Sequence, residues 1–230
     1  EHKGQVVESP LRDWDDLNSY EPPDTATDAI MSQIESRLHR NADKYCFADG
    51  DIVWQRMFYL RGYQATLTDL LLRPERCADL RDMILSVMIR RVERLCRLPE
   101  LDGAHFRDDW GTQEALMIRP QLWREFFAPA YAQLFALVRD AGKHVWFHSD
   151  GVIDAIIPDL IECGFDGFYC LEPAAGMDII ELKNTWPEMV WAGGVDGVDL
   201  MERGTPEQVR AEVRRHITET DVLRTGGMFV

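Results

Sequence analysis

The chain has 230 residues, a formal net charge of −15, 46% hydrophobic and 28% charged residues. Its seven Trp and ten Phe exclude wholesale disorder, and no apolar run reaches the roughly 18 residues of a membrane-spanning helix. The surplus of acids argues against nucleic acid or an anionic membrane as a generic partner, because phosphate binding rests on clustered Lys and Arg.

Residues 1–28 are polar and broken by Pro10, Pro22 and Pro23, which predicts an irregular lead-in carrying at most a short helix. Residues 29–230 read as a single domain. Ala29, Ile30, Ile34 and Leu38 show helical spacing, and Tyr45 to Phe47 is a short apolar run closed by Asp49-Gly50, a buried strand ending in a turn. A helical stretch follows to about Arg97, split near Gly62 and at Pro74. From residue 100 the pattern alternates. Strand-like runs at Ala104–Phe106, Lys143–Phe147, Gly167–Leu171, Met189–Ala192 and Gly227–Val230 are separated by amphipathic segments at 119–141, 152–163, 177–185 and 206–219. Strand alternating with helix predicts βαβ units and a parallel sheet.

Polar residues follow nearly every strand: Asp49, Asp108 and Asp109, His148 and Asp150, Glu172, and Asp196. An open doubly wound sheet gathers its ligand at one switch point, whereas a (β/α)8 barrel builds its site from all the strand C-terminal ends. The expected fold is therefore an α/β TIM barrel. Six strand-like runs where eight are needed predict one that is incomplete at one or both ends, and in isolation aggregation-prone or dependent on a partner. Asp108, His148, Glu172 and Asp196 are expected to open toward one cavity.

The densest polar cluster is Asp108-Asp109-Trp110-Gly111-Thr112-Gln113. Its acids can accept from a substrate or orient an imidazole, and Trp110 offers a stacking face. The bland alternative is a loop whose acids cap backbone N–H groups. His148-Ser149-Asp150 places imidazole and carboxylate on one face of an extended chain, where they can share a metal or a proton. The next strand brings Cys170 or Glu172 near them, with Tyr169 and Leu171 on the opposite face from Cys170. Gly193-Gly194-Val195-Asp196 either lines a large ligand or forms a tight turn capped by Asp196. The five cysteines include no CxxC pair and read as free thiols of a reducing, cytoplasmic compartment. His39, His105 and His144 read as core residues.

The order of these motifs resembles the uroporphyrinogen decarboxylase superfamily. Asp108-Asp109-Trp110-Gly111, Ile118-Arg119-Pro120 with Trp123 and Pro129, Gly142-Lys143-His144-Val145 into His148, Gly193-Gly194-Val195-Asp196, Gly204-Thr205-Pro206 and Gly226-Gly227 carry the resemblance across residues 45–230. It implies the same barrel, with two chemistries. One branch contains zinc-dependent methyltransferases working with corrinoid proteins, whose H-x-C-G motif binds the metal. His148 matches that His, Asp150 stands where the Cys would be, and the counterpart of a later Cys would fall beyond Val230. The other branch decarboxylates uroporphyrinogen in porphyrin biosynthesis without any cofactor. Its N-terminal Asp and arginines have no recognisable counterpart here.

The resemblance leans to the methyltransferases: Asp108, Asp109 and His148 catalytic; Trp110, Gln113, Glu172, Gly194 and Asp196 on the substrate; His148, Asp150 and Cys170 on zinc. It implies a tetrapyrrole or methylated small-molecule substrate, a corrinoid protein as partner and a homodimer. A decarboxylase and a non-catalytic or fragmentary barrel are the alternatives.

Overall fold

The computed structural model describes residues 6–230. Six strands, β1 (Phe47–Asp51), β2 (Gly103–Arg107), β3 (His144–His148), β4 (Gly167–Leu171), β5 (Val190–Gly193) and β6 (Met228–Phe229), form one sheet in the order of the chain. Every pairing is parallel. Helices cross between consecutive strands throughout: α2 (Trp54–Arg61), α3 (Tyr63–Leu72) and α4 (Pro74–Cys96) after β1, α5 (Pro120–Phe126) and α6 (Ala128–Asp140) after β2. Single helices α7 (Ile157–Cys163) and α8 (Ile179–Thr185) follow β3 and β4, and α9 (Pro206–Thr218) and α10 (Val222–Thr225) follow β5. Ahead of β1 stand a 3-10 turn at Trp14–Asn18 and α1 (Asp28–His39). This is the architecture of a partial (β/α)8 barrel. No described helix is long and apolar enough to cross a membrane.

The helical breaks fall where local chemistry requires them. Gly62 sits at φ +94° between α2 and α3. Arg73 leaves the helical region ahead of Pro74, whose ring disfavours a helical neighbour before it and suits the first turn of α4. The α4 stripe Leu80, Ile84, Val87, Met88, Val92 and Leu95 is buried. The outward-facing strand residues Ala104, Phe106, Val145, Phe147, Phe168 and Trp191 are buried against the helices. The other face turns inward and carries the polar and aromatic side chains. Phe47, His105, Trp146, His148 and Tyr169 touch one another there, with ring centroids 4.8–6.4 Å apart.

Of the histidines expected in the core, only His105 is buried. His39 pairs with Glu100 at the surface, and His144 stacks on Tyr45. Isolated imidazoles carry no signal of depth, since their burial is decided by which strand face they occupy.

Candidate functional site

Two loops cross at the C-terminal ends of β2 and β3, and glycine lets them touch. A Cβ on Gly111 would lie 2.6 Å from the Gly151 carbonyl carbon, and one on Gly151 (φ +75°) would lie 2.5 Å from the Thr112 carbonyl oxygen. The Trp110 N–H donates to Ser149 Oγ at 2.9 Å, and the Val152 N–H donates to the Thr112 carbonyl at 2.9 Å. This crossing fixes Asp109 beside His148 and Asp150.

Around His148 the acids converge. Its Nε2 lies 3.4 Å from Asp109 Oδ1 and 3.6 Å from Asp150 Oδ1, while its Nδ1 donates to the Tyr169 carbonyl at 2.8 Å. Asp109 is held from two more sides, by Gln55 Nε2 at 2.6 Å and the Asp150 N–H at 3.2 Å. Burial opposes charge on the imidazole, but Asp109, Cys170 and Asp150 outweigh it and push the ring up to about 10. Burial likewise opposes the Asp109 carboxylate, and the bonds from His148 and the Asp150 N–H bring it below the usual range.

Cys170 joins the group from β4. Its Sγ lies 3.9 Å from Asp150 Oδ1, and one ligand atom each from His148, Asp150 and Cys170 lie within 4.8 Å of one another. Tyr169 and Cys170 do not separate to opposite faces as simple alternation predicts. The β4–β5 register shifts between Phe168 and Leu171, and such an irregularity re-aims side chains. Tyr169 thus packs against His148, ring centroids 5.1 Å apart and tilted by 41°, while Cys170 reaches Asp150. The group stands between two cavities. One of about 830 Å³ occupies the sheet's inner face and is lined by Cys170, Tyr169 and Trp146. The other, of about 490 Å³, is lined by Gln55, Arg56, Tyr59, Arg107, Asp109, His148 and Asp150.

Several expected site residues face elsewhere. Asp108 is buried under the strand end, where its carboxylate accepts from Val53 N–H (2.7 Å), Gln55 N–H (3.0 Å) and the Tyr131 hydroxyl (2.6 Å). It therefore caps the N-terminus of α2, whose own N-cap Val53 has no polar side chain to do so. Burial raises its carboxyl to about 6 against those bonds. Trp110 offers no face to a ligand: it stacks on Trp54 at 4.7 Å, meets Phe127 at 4.6 Å, and donates to Tyr131 Oη at 3.1 Å. Asp196 spends its carboxylate on the Val198 and Asp199 N–H groups. Gly194, at φ +89°, lies so close on Ile179 that a Cβ would come within 2.6 Å of its Cγ2. Gln113 and Glu172 bond to each other at 2.8 Å. The strand ends therefore do not all open onto one cavity, because Asp108 and Asp196 are drawn off by unsatisfied backbone N–H groups.

Gln55, Arg56, Tyr59 and Arg107 were not singled out in the sequence. Arg107 had a signal, since His105, Arg107 and Asp109 follow the two-residue period of an inward strand face. The others come from α2, about fifty residues away in the chain, and nothing local announces them.

The comparisons with known proteins bear on this arrangement. The family model described as uroporphyrinogen decarboxylase (URO-D) matches residues 1–227. The chain belongs to that family. No curated protein sequence matches it significantly. Six solved chains do, one of them a methyltransferase from Methanosarcina mazei, with 13% sequence identity and a TM-score of 0.66. The likeness covers 84% of this chain and 56% of that one, and it shows a shared fold. This chain thus spans little more than half the length of that methyltransferase.

Proposed function

We propose that this URO-D family chain is a cytoplasmic zinc-dependent enzyme of methyl transfer, working with a corrinoid protein. The observation that carries the reading is the convergence of His148, Asp150 and Cys170 at the strand ends. The donor set fits zinc. Ligand bonds of about 2.0–2.3 Å in a tetrahedron set ligand atoms roughly 3.3–3.8 Å apart, and the observed 3.6 Å and 3.9 Å separations are near that. The nitrogen, oxygen and sulfur donors suit a borderline-soft metal. His148 is also oriented as zinc-binding histidines are, one ring nitrogen on a backbone carbonyl and the other turned to the site.

His148 through Nε2, Asp150 and Cys170 would hold the ion, displacing the proton the imidazole carries between the acids. When bound, zinc supplies Lewis acidity that activates a thiol or another methyl acceptor. The chain's own residues supply position. The Tyr169 carbonyl fixes the His148 ring, and Gln55 and the Asp150 N–H hold Asp109 beside the group. The adjoining cavity of about 490 Å³, lined by Asp109, His148 and Asp150, would take a small substrate against this group.

Elemental analysis of purified protein tests the reading. Wild type should carry about one zinc per chain, His148→Ala almost none, and Cys170→Ser distinctly less than wild type. Equal zinc in wild type and His148→Ala would remove the metal and favour cofactor-free decarboxylation instead.

A further inference from the structure

We infer that the substrate of this site is a small organic acid, its anionic group held by Arg56 and Arg107 while its reacting end meets the His148 and Asp150 side of the metal group. The inference rests on the metal reading above and names the substrate class for it.

Arg56 comes from α2 and Arg107 from the end of β2, and both line the cavity that His148 and Asp150 line. Each guanidinium is anchored from behind by one acid of β1. Arg56 Nη2 donates to Asp51 Oδ1 and Arg107 Nη2 to Asp49 Oδ2, both at 2.6 Å. The strand end is shaped for this. Asp51 has φ +81°, the left-handed region that few non-glycine residues enter and Asp tolerates better than most. Its carboxylate also takes the Ile52 N–H, and its own N–H donates to Asp49 Oδ1.

A guanidinium has five N–H donors. Among the described residues Arg56 and Arg107 spend one nitrogen each, and both side chains are 39% exposed. The arginines that tie the fold together behave differently. Arg61 bonds Asp69 and the Leu11 and Arg12 carbonyls, and Arg91 bonds the Asp49 and Thr25 carbonyls. Oriented guanidiniums with spare donors beside a reaction centre suit a carboxylate or a similar planar or tetrahedral anion. The nearby acids oppose an anion less than their number suggests. Asp109 has both oxygens engaged, Oδ2 by Gln55 and Oδ1 by the Asp150 N–H. Tyr59 and Ile52 line the same cavity and give an apolar wall for the body of a single-ring or short-chain acid.

The test is a matched pair of probes, 4-methoxybenzoate and its neutral isostere 4-methoxybenzamide, titrated calorimetrically into zinc-loaded and chelator-treated protein. Wild type should prefer the acid by about tenfold in both forms, one charge-assisted contact's worth of affinity. Arg56→Gln and Arg107→Gln should each reduce that preference, and the double variant should abolish it with amide affinity and zinc content unchanged. Arg107→Lys, which keeps the charge, should retain part of it and controls for folding. Equal affinity for acid and amide, no binding of either, or a preference surviving in the double variant would overturn the inference. Zinc retained without acid preference fails this inference alone, whereas acid preference without zinc fails the metal reading alone.

Discussion

Asp108 and Asp109 are chain neighbours whose carboxylates face opposite ways, one down onto the α2 N-terminus and one out toward His148. Asp108 titrates near 6 in the fold, against about 3.9 unfolded. The folded state thus holds this proton more tightly. Its stabilising contribution is complete below about pH 4 and is lost as pH rises through about 6. Asp108→Asn is neutral at every pH, so the stability advantage of wild type over this variant should shrink by about 2–3 kcal/mol between about pH 4 and pH 7. Urea unfolding at a series of pH values measures this, and an advantage independent of pH would show that Asp108 is ionised throughout. Trp110 is a core residue by its contacts, and Trp110→Ala should cost about 3–5 kcal/mol in the same assay. Gln113→Ala, removing an exposed side chain at the rim, should fall within about 0.5 kcal/mol of wild type.

At the scale of elements, the crossing of the β2 and β3 loops is the part on which the site depends. Gly151→Ala puts a methyl group on a left-handed residue and drives it into the Thr112 carbonyl. It should cost at least about 1–2 kcal/mol and also lower zinc retention, because Asp150 is the preceding residue. Full zinc retention in a destabilised Gly151→Ala protein would separate the crossing from the site. The α9 terminus is a simpler case. Thr205 and Gln208 form a reciprocal capping box, and Thr205→Ala should cost about 0.5–2 kcal/mol with no effect on metal.

These elements also show what the sequence made legible. Gly62 and Pro74 punctuate the helices where the chain composition says they should, and the strand-like runs from 100 onward are the observed β2 to β6 to within two residues. Local signals suffice for such features. The capping of α2 by Asp108 joins positions 55 apart, and the β4 irregularity depends on its neighbour β5, so neither is written in a local pattern.

For the whole molecule, the sequence order of the sheet matters most. Because β1 to β6 lie side by side in chain order and all run parallel, every strand C-terminus falls on one edge of the sheet. Residues as far apart as Gln55, Asp109, His148 and Cys170 then meet without any element being displaced from its place in the fold. The polar strand ends announced this edge in the sequence, but which of those side chains face the cavity was decided by competition with otherwise unpaired backbone donors. Asp108 and Asp196 were claimed by such donors, while Asp109, His148 and Asp150 were left to one another. We propose that this meeting point holds zinc through His148, Asp150 and Cys170. X-ray absorption at the zinc edge of the loaded protein tests it most directly. The account predicts one sulfur neighbour at about 2.3 Å together with nitrogen and oxygen neighbours at about 2.0–2.2 Å, the sulfur vanishing in Cys170→Ser. A shell with no sulfur, or one unchanged by that substitution, would contradict it.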